Sequence, residues 1–139
     1  MNHRSISDTK FPEPDRELDE LARIVVDAAL EVHRALGPGM LESAYQEALS
    51  VELRLRGVRF AQQVPVAVAY KGARIGEVRL DFLVADRLVV EVKACLSLLP
   101  VHLAQVVAYL KASDRPLALL INFNVPLLRH GIRRVIRTP

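Results

Sequence analysis

Cysteine is nearly absent from this chain, since Cys95 is the only one among 139 residues. A single cysteine excludes an intramolecular disulfide, and it also excludes a structural zinc site built from four cysteines. With 51% hydrophobic residues, the chain is long enough to bury a core without such cross-links. We therefore expect one domain in a reducing, cytoplasmic setting.

Long uninterrupted apolar runs are also missing. The first ten residues are polar and lack the apolar segment of a secretory signal. The most apolar stretch, residues 88–110, is interrupted by charged and polar side chains, so we expect no membrane-spanning helix and no membrane partner. Residues 1–14 are polar and lack periodicity, which predicts a flexible leader before a single domain over residues 15–139.

Acidic residues are scarce in the C-terminal third. Residues 93–139 hold seven lysines or arginines and one acid, Asp114, whereas residues 1–31 hold eight acids and four basic residues. A basic surface attracts polyanions such as nucleic acid. Arg133 and Arg134 are candidate phosphate contacts if they lie on the same side of the fold as the charged strand residues described below. Ordinary solvated arginines explain the same charge pattern equally well.

The spacing of apolar residues predicts an α/β fold. Helical spacing predicts helices over about residues 16–36, 41–56 and 100–112. Apolar runs predict strands over about residues 59–70, 74–84, 88–94 and 116–123, with a last short strand within 129–137. Pro65 in the first strand indicates an edge or a bulge. The order α-α-β-β-β-α-β-(β) is that of an α/β sandwich with a crossover helix, not of a doubly wound sheet.

Charged side chains interrupt two of these apolar strands. Asp81 lies in the second strand, and Glu91 and Lys93 lie in the third. A three-residue loop at residues 85–87 brings Asp81 opposite Glu91 and puts Lys93 on the same face. The other face then collects the apolar side chains of Leu80, Phe82, Val84, Leu88, Val90 and Val92.

Two carboxylates that face each other across an antiparallel pair repel, so this pattern calls for a partner. A divalent cation removes the repulsion and supplies a Lewis acid. Lys93 would then hold a water molecule or offset charge on a phosphate. On spacing alone, a charge ladder in which Lys93 neutralises one of the acids is the more common arrangement.

Two predicted helices carry further polar candidates. Glu42 and Tyr45 share one helix face, although an acid in a first turn also favours the helix dipole and a tyrosine often packs in the core. His102, Gln105 and Tyr109 form a stripe suited to phosphate, to a base or simply to solvent. We expect Leu103, Val106 and Leu110 to lie on the opposite face of this helix.

The ordered set of these motifs resembles the GxxExxY protein family, which is placed in the PD-(D/E)XK nuclease superfamily. The motifs are Gly39-x-x-Glu42-x-x-Tyr45, Asp81, Glu91-Val92-Lys93 and Gln105-x-x-x-Tyr109. The resemblance covers about residues 21–137. It implies a restriction-endonuclease-like α-β-β-β-α-β core, with a central mixed sheet flanked by helices and an extra N-terminal helix.

The resemblance also implies that the chain is a hydrolase that cleaves phosphodiester bonds of nucleic acid with Mg²⁺ (or Mn²⁺). The implied metal ligands are Asp81, Glu91, the carbonyl of Val92 and Glu42. Lys93 would position the attacking water. The candidates for nucleic-acid binding or site support are Tyr45, His102, Gln105, Tyr109, Arg133 and Arg134.

Two other functions compete with catalysis. The chain would be a nuclease-fold module that binds nucleic acid without cleaving it, or an interaction module whose basic face contacts another protein. An edge strand and an apolar first helix also leave room for a homodimer.

Overall fold

The computed structural model describes residues 15–137, which form helices and strands in the predicted order. The helices are α1 (Arg16–Leu36), α2 (Glu42–Leu55) and α3 (Pro100–Ser113). The strands are β1 (Phe60–Tyr70), β2 (Ala73–Val84), β3 (Leu88–Lys93), β4 (Leu117–Asn122) and β5 (Ile132–Ile136), with a short 3₁₀ helix (Leu128–Gly131) before β5. The predicted leader at residues 1–14 lies outside the described residues.

The strands form one mixed sheet in the order β1-β2-β3-β4-β5. Strands β3 and β4 are parallel and are joined by α3, whereas the other neighbouring pairs are antiparallel. The predicted crossover helix is therefore confirmed. Strand β1, which contains Pro65, lies at one edge of the sheet as the proline predicts.

The first helix begins and ends at residues suited to those positions. The Asp15 carboxylate accepts a hydrogen bond from the Leu18 N–H at 2.8 Å, and Gly37 ends the helix with a φ of 67°. One side of α1 is buried against the sheet.

Within residues 15–137, none of the helices combines the length and the apolar character that a membrane span requires.

The sheet separates two apolar clusters. The larger cluster lies between the sheet and helices α1 and α2, and from the sheet hairpin it contains Phe82, Val84, Leu88, Val90 and Val92. The smaller cluster lies under α3 and includes Leu83, Val89, Val106 and Leu110. Helices thus cover both faces of the sheet, with α1 and α2 on one side and α3 on the other.

The prediction for Leu80 is wrong, because this residue packs in the smaller cluster and not beside Phe82. The alternation of side chains along β2 changes at Asp81. The neighbouring residue of β1, Gln63, has a positive φ of 52° and is missing from the pairing between Gln62–Phe82 and Val64–Leu80. A local distortion of both strands therefore turns Leu80 toward α3.

Candidate active site

Asp81 and Glu91 face each other at the point where β2 and β3 separate. Val84 pairs with Leu88 and Phe82 pairs with Val90, which confirms the predicted loop and register. The ladder between these strands ends at the Phe82–Val90 pair. Beyond that pair, the Asp81 N–H donates to Glu91 Oε2 at 2.9 Å, and the Val92 N–H donates to Asp81 Oδ2 at 2.8 Å. Each carboxylate is thus fixed by the backbone of the opposite strand.

The two acids lie in a setting that opposes their ionisation. Glu91 is 3% exposed, and burial, followed by the charge of Asp81, raises its pKa to about 8. Burial also raises the pKa of Asp81, and the charge of Glu42 adds to this effect. Backbone hydrogen bonds and the charge of Lys93 lower both pKa values, but by less than burial and the neighbouring acids raise them. The site therefore favours the protonated form of its acids in the absence of a cation.

Lys93 is the last residue of β3 and lies two positions after Glu91, on the same face of the sheet. Its Nζ donates a hydrogen bond to Gln105 Oε1 of α3 at 3.4 Å. The ion pairs found among residues 15–137 do not include Lys93. Lys93 thus lowers the pKa of the acids through space, and Gln105 holds its ammonium group beside them.

Glu42 is the first residue of α2 and is exposed to solvent. Its charge raises the pKa of Asp81 and of Glu91, so its carboxylate lies within electrostatic range of the pair. The structure therefore brings the acid of the GxxExxY motif to the site, although Glu42 comes from a different layer of the fold.

Two of the predicted site residues serve the scaffold. The hydroxyl of Tyr45, which is fully buried, donates to the Gly37 carbonyl oxygen at 2.5 Å and accepts from the Met40 N–H at 3.1 Å. The His102 Nδ1 accepts from the Leu99 N–H at 2.9 Å and so caps the start of α3. Neither contact reaches the acids directly.

The polar stripe of α3 adjoins its buried face and does not oppose it. Val106 and Leu110 are fully buried, whereas Leu103 is 36% exposed, so the three residues do not share one buried face. Tyr109 packs against the smaller cluster, and burial, followed by the charges of the two acids, raises its pKa. Gln105 and Tyr109 therefore face the site, because their row runs next to Val106 and Leu110 on the helix.

Arg133 and Arg134 lie on opposite faces of β5. Arg133 pairs with Leu120 of the smaller cluster, and Arg134 pairs with Leu119 of the larger one. Since paired residues point to the same side of a sheet, Arg133 lies on the face of the site. Arg134 instead forms an ion pair with Asp19 of α1. Arg134 therefore does not meet the condition for the predicted phosphate contact, which was a position on the side of the site.

Comparison with protein families decides the classification. Residues 19–135 match the model of the PD-(D/E)XK nuclease superfamily. The chain belongs to this superfamily. A search of curated proteins gave no match. The predicted superfamily and the restriction-endonuclease-like α/β class are confirmed, and the narrower GxxExxY assignment stays a prediction.

PD-(D/E)XK nucleases generally use divalent metal ions, and the two carboxylates of this chain suit one. Backbone N–H groups hold Asp81 Oδ2 and Glu91 Oε2, and the two side chains also hydrogen-bond to each other, so a cation would meet a preformed pair of carboxyl groups. No group of three or more His, Cys, Asp or Glu residues in the described part of the chain is arranged to hold a metal. The fit is therefore to two carboxylates with water completing the shell, as Mg²⁺ prefers.

Asn122 supports the site from β4, and the sequence pattern did not single it out. It ends β4, is 1% exposed and pairs with Lys93 across the parallel strands. Its Oδ1 accepts from the Cys95 N–H at 3.1 Å, and its Nδ2 donates to the Cys95 carbonyl at 3.0 Å. This amide fixes the chain just after Lys93. The sequence signal that could have identified Asn122 is a single amide side chain at the end of a strand that is otherwise apolar.

Proposed function

We propose that this chain is a divalent-metal-dependent nuclease that hydrolyses phosphodiester bonds of nucleic acid. The supporting observation is the pair of facing carboxylates, with the pKa of Glu91 raised to about 8, next to a lysine held by a glutamine. A cation at this point would replace the proton that burial otherwise favours. We propose Mg²⁺, or Mn²⁺ in its place, as that cation.

Each residue of the site has a proposed task. Asp81 and Glu91 would hold the metal, with the Val92 carbonyl and Glu42 as further ligands, directly or through water. When bound, the metal supplies a Lewis acid for the phosphate and lowers the pKa of a bound water. Lys93, held by Gln105, would orient the attacking water and offset the charge that develops on the phosphate.

Contacts to the nucleic acid would come from the face of the sheet that carries the acids. Arg133 lies on this face, in the cross-strand row that contains Glu91 and Leu120. Its position suits a phosphate contact, which positions the backbone without reading sequence. Tyr109 and Gln105 border the same region from α3. A cytoplasmic location is part of this proposal.

A cleavage assay on single- and double-stranded DNA and RNA, with and without Mg²⁺ or Mn²⁺, tests the proposal. We expect Lys93→Ala to lower metal-dependent cleavage at least about 100-fold, because it removes the cation beside the reacting phosphate. Lys71→Ala is the matched control, since Lys71 lies in the exposed turn between β1 and β2. Cleavage that stays equal in the two variants would contradict the proposed role of Lys93.

One observation favours a second candidate function. Because no three-residue metal-ligand group is formed within residues 15–137, the chain would alternatively be a catalytically silent module that binds nucleic acid or a protein. Isothermal titration with Mn²⁺ separates the two. Absence of metal binding together with retained nucleic-acid binding would favour the silent module. Self-association is a separate prediction that gel filtration tests.

A further inference from the structure

The hydroxyl of Tyr45 closes the turn that carries the chain from α1 into α2. It donates to the Gly37 carbonyl oxygen at 2.5 Å and accepts from the Met40 N–H at 3.1 Å, so both ends of the turn meet one buried oxygen. The turn itself needs glycine, since Gly37 and Gly39 have φ values of 67° and 103°. Leu41, the N-cap residue of α2, has no side-chain capping hydrogen bond within residues 15–137, so the contacts of Tyr45 with the preceding turn fix the approach to this helix.

The ring of Tyr45 connects this turn to the other half of the site. It stacks on Phe123 with 4.7 Å between centroids and an interplanar angle of 10°. The Phe123 N–H in turn donates to the Lys93 carbonyl oxygen at 2.9 Å. Tyr45 therefore touches both the turn that precedes Glu42 and the residue that holds the end of β3.

We propose that Tyr45 is a positioning residue for Glu42. Glu42 is exposed and lies in the first turn of α2, which is the part of a helix that frays most easily. The clamp on Gly37 and Met40 fixes where this turn begins and so keeps the Glu42 carboxylate within range of Asp81 and Glu91. The glycine, the glutamate and the tyrosine of the motif then act together: they form the turn, supply the acid and hold it in place.

This inference rests on the proposed function, since Glu42 matters there as a ligand or as the holder of a metal-bound water. Residues that orient metal ligands typically contribute about 10- to 100-fold in affinity or activity. Tyr45→Phe removes the two hydrogen bonds but keeps the ring stacked on Phe123. Tyr70→Phe is the matched control, because Tyr70 is 60% exposed at the end of β1.

A double-mutant cycle with Glu42→Gln tests the coupling. We expect Tyr45→Phe to lower Mn²⁺ affinity and cleavage about 10- to 100-fold in the wild-type background. In the Glu42→Gln background the same change should have less than about a twofold effect, because the group that Tyr45 positions is already gone. Equal losses in both backgrounds would overturn the proposal, since Tyr45 would then act independently of Glu42. Tyr70→Phe should leave both quantities unchanged.

Amide hydrogen exchange tests the clamp without any reference to catalysis. Tyr45→Phe should speed exchange of the Met40 amide about tenfold, whereas Tyr70→Phe should not. If the wild-type protein neither binds Mn²⁺ nor cleaves, the proposed function fails, and exchange alone decides whether Tyr45 holds the turn. Unchanged exchange at Met40 would overturn the clamp even if the nuclease activity were present.

Discussion

A glutamate that is almost completely buried on a sheet face is the least expected residue in this chain. Glu91 is 3% exposed, and its only balancing charge, Lys93, forms no ion pair with it in the described part of the chain. Burial raises its pKa to about 8, so at neutral pH the metal-free protein holds a proton there. A buried acid with a raised pKa is a feature typical of functional sites.

The raised pKa of Glu91 predicts that the metal-free protein loses stability as pH rises. Between about 4.5 and about 8 the folded state holds a proton that the unfolded state has released, so the free energy of unfolding falls through this window. One such group changes it by at most about 1.4 kcal/mol per pH unit. Urea unfolding in EDTA at several pH values measures this slope.

Glu91→Gln should flatten this profile and make the protein more stable than the wild type near pH 8, where the wild-type carboxylate is charged. Glu47→Gln is the control, since Glu47 is an exposed acid of α2. A wild-type profile that keeps its slope in Glu91→Gln would show that another group causes the dependence.

The elements of this fold were largely predictable from sequence, because apolar periodicity and turn residues agree along most of the chain. The hairpin register, which brings Asp81 to Glu91, follows from a loop of fixed length and from one apolar face. Leu80 could not be placed this way, since the distortion at Gln63 depends on contacts between strands. Leu103 could not be placed either, because α3 is apolar on several sides and its orientation is set by the sheet.

The site was predictable in its acids and lysine but not in its supporting contacts. Hydrogen bonds from Tyr45 to a turn, and from Asn122 to Cys95, join residues whose proximity no local pattern encodes. These contacts come from the packing of whole elements. They explain why a motif can be recognised in sequence before the task of each of its members is understood.

Close contact between β4 and the segment before β5 makes Gly131 sensitive to substitution. A Cβ there would lie 2.2 Å from the Asn122 carbonyl oxygen and 3.1 Å from Val125 Cγ2. We expect Gly131→Ala to lower the free energy of unfolding by about 1–3 kcal/mol, because the backbone itself must move. Gly76→Ala in β2, where nothing lies within 4 Å, should change it little. Chemical denaturation of both variants measures the difference, and equal stabilities would contradict the contact.

At the scale of the whole molecule, the lopsided charge of the sequence is partly cancelled in space. Four arginines pair with acids that lie far from them along the chain: Arg87 with Asp15, Arg115 with Asp86, Arg134 with Asp19 and Arg137 with Asp114. Exposed pairs of this kind add little stability. The pairs of Arg115 and Arg134 do reduce the basic character of the C-terminal third. For nucleic-acid binding, the face of the sheet on which an arginine lies therefore matters more than the net charge of the chain.

The two arginines of β5 predict that nucleic acid binds one face of the sheet and not the other. Arg133→Ala should weaken nucleic-acid binding and lower the slope of log affinity against log salt by about one, because one phosphate contact is lost. Arg134→Ala should leave the slope unchanged, since Arg134 lies on the α1 side and pairs with Asp19. Binding titrations at several salt concentrations measure both. Equal effects of the two variants would argue against a surface on the face of the acids.

Anomalous scattering from crystals soaked in Mn²⁺ tests most directly whether Asp81 and Glu91 together bind a divalent cation. The account predicts one peak between the two carboxylates and its loss in Glu91→Gln crystals. Saturating Mn²⁺ with no peak between these side chains, or a peak that persists unchanged in the Glu91→Gln crystals, would contradict the account.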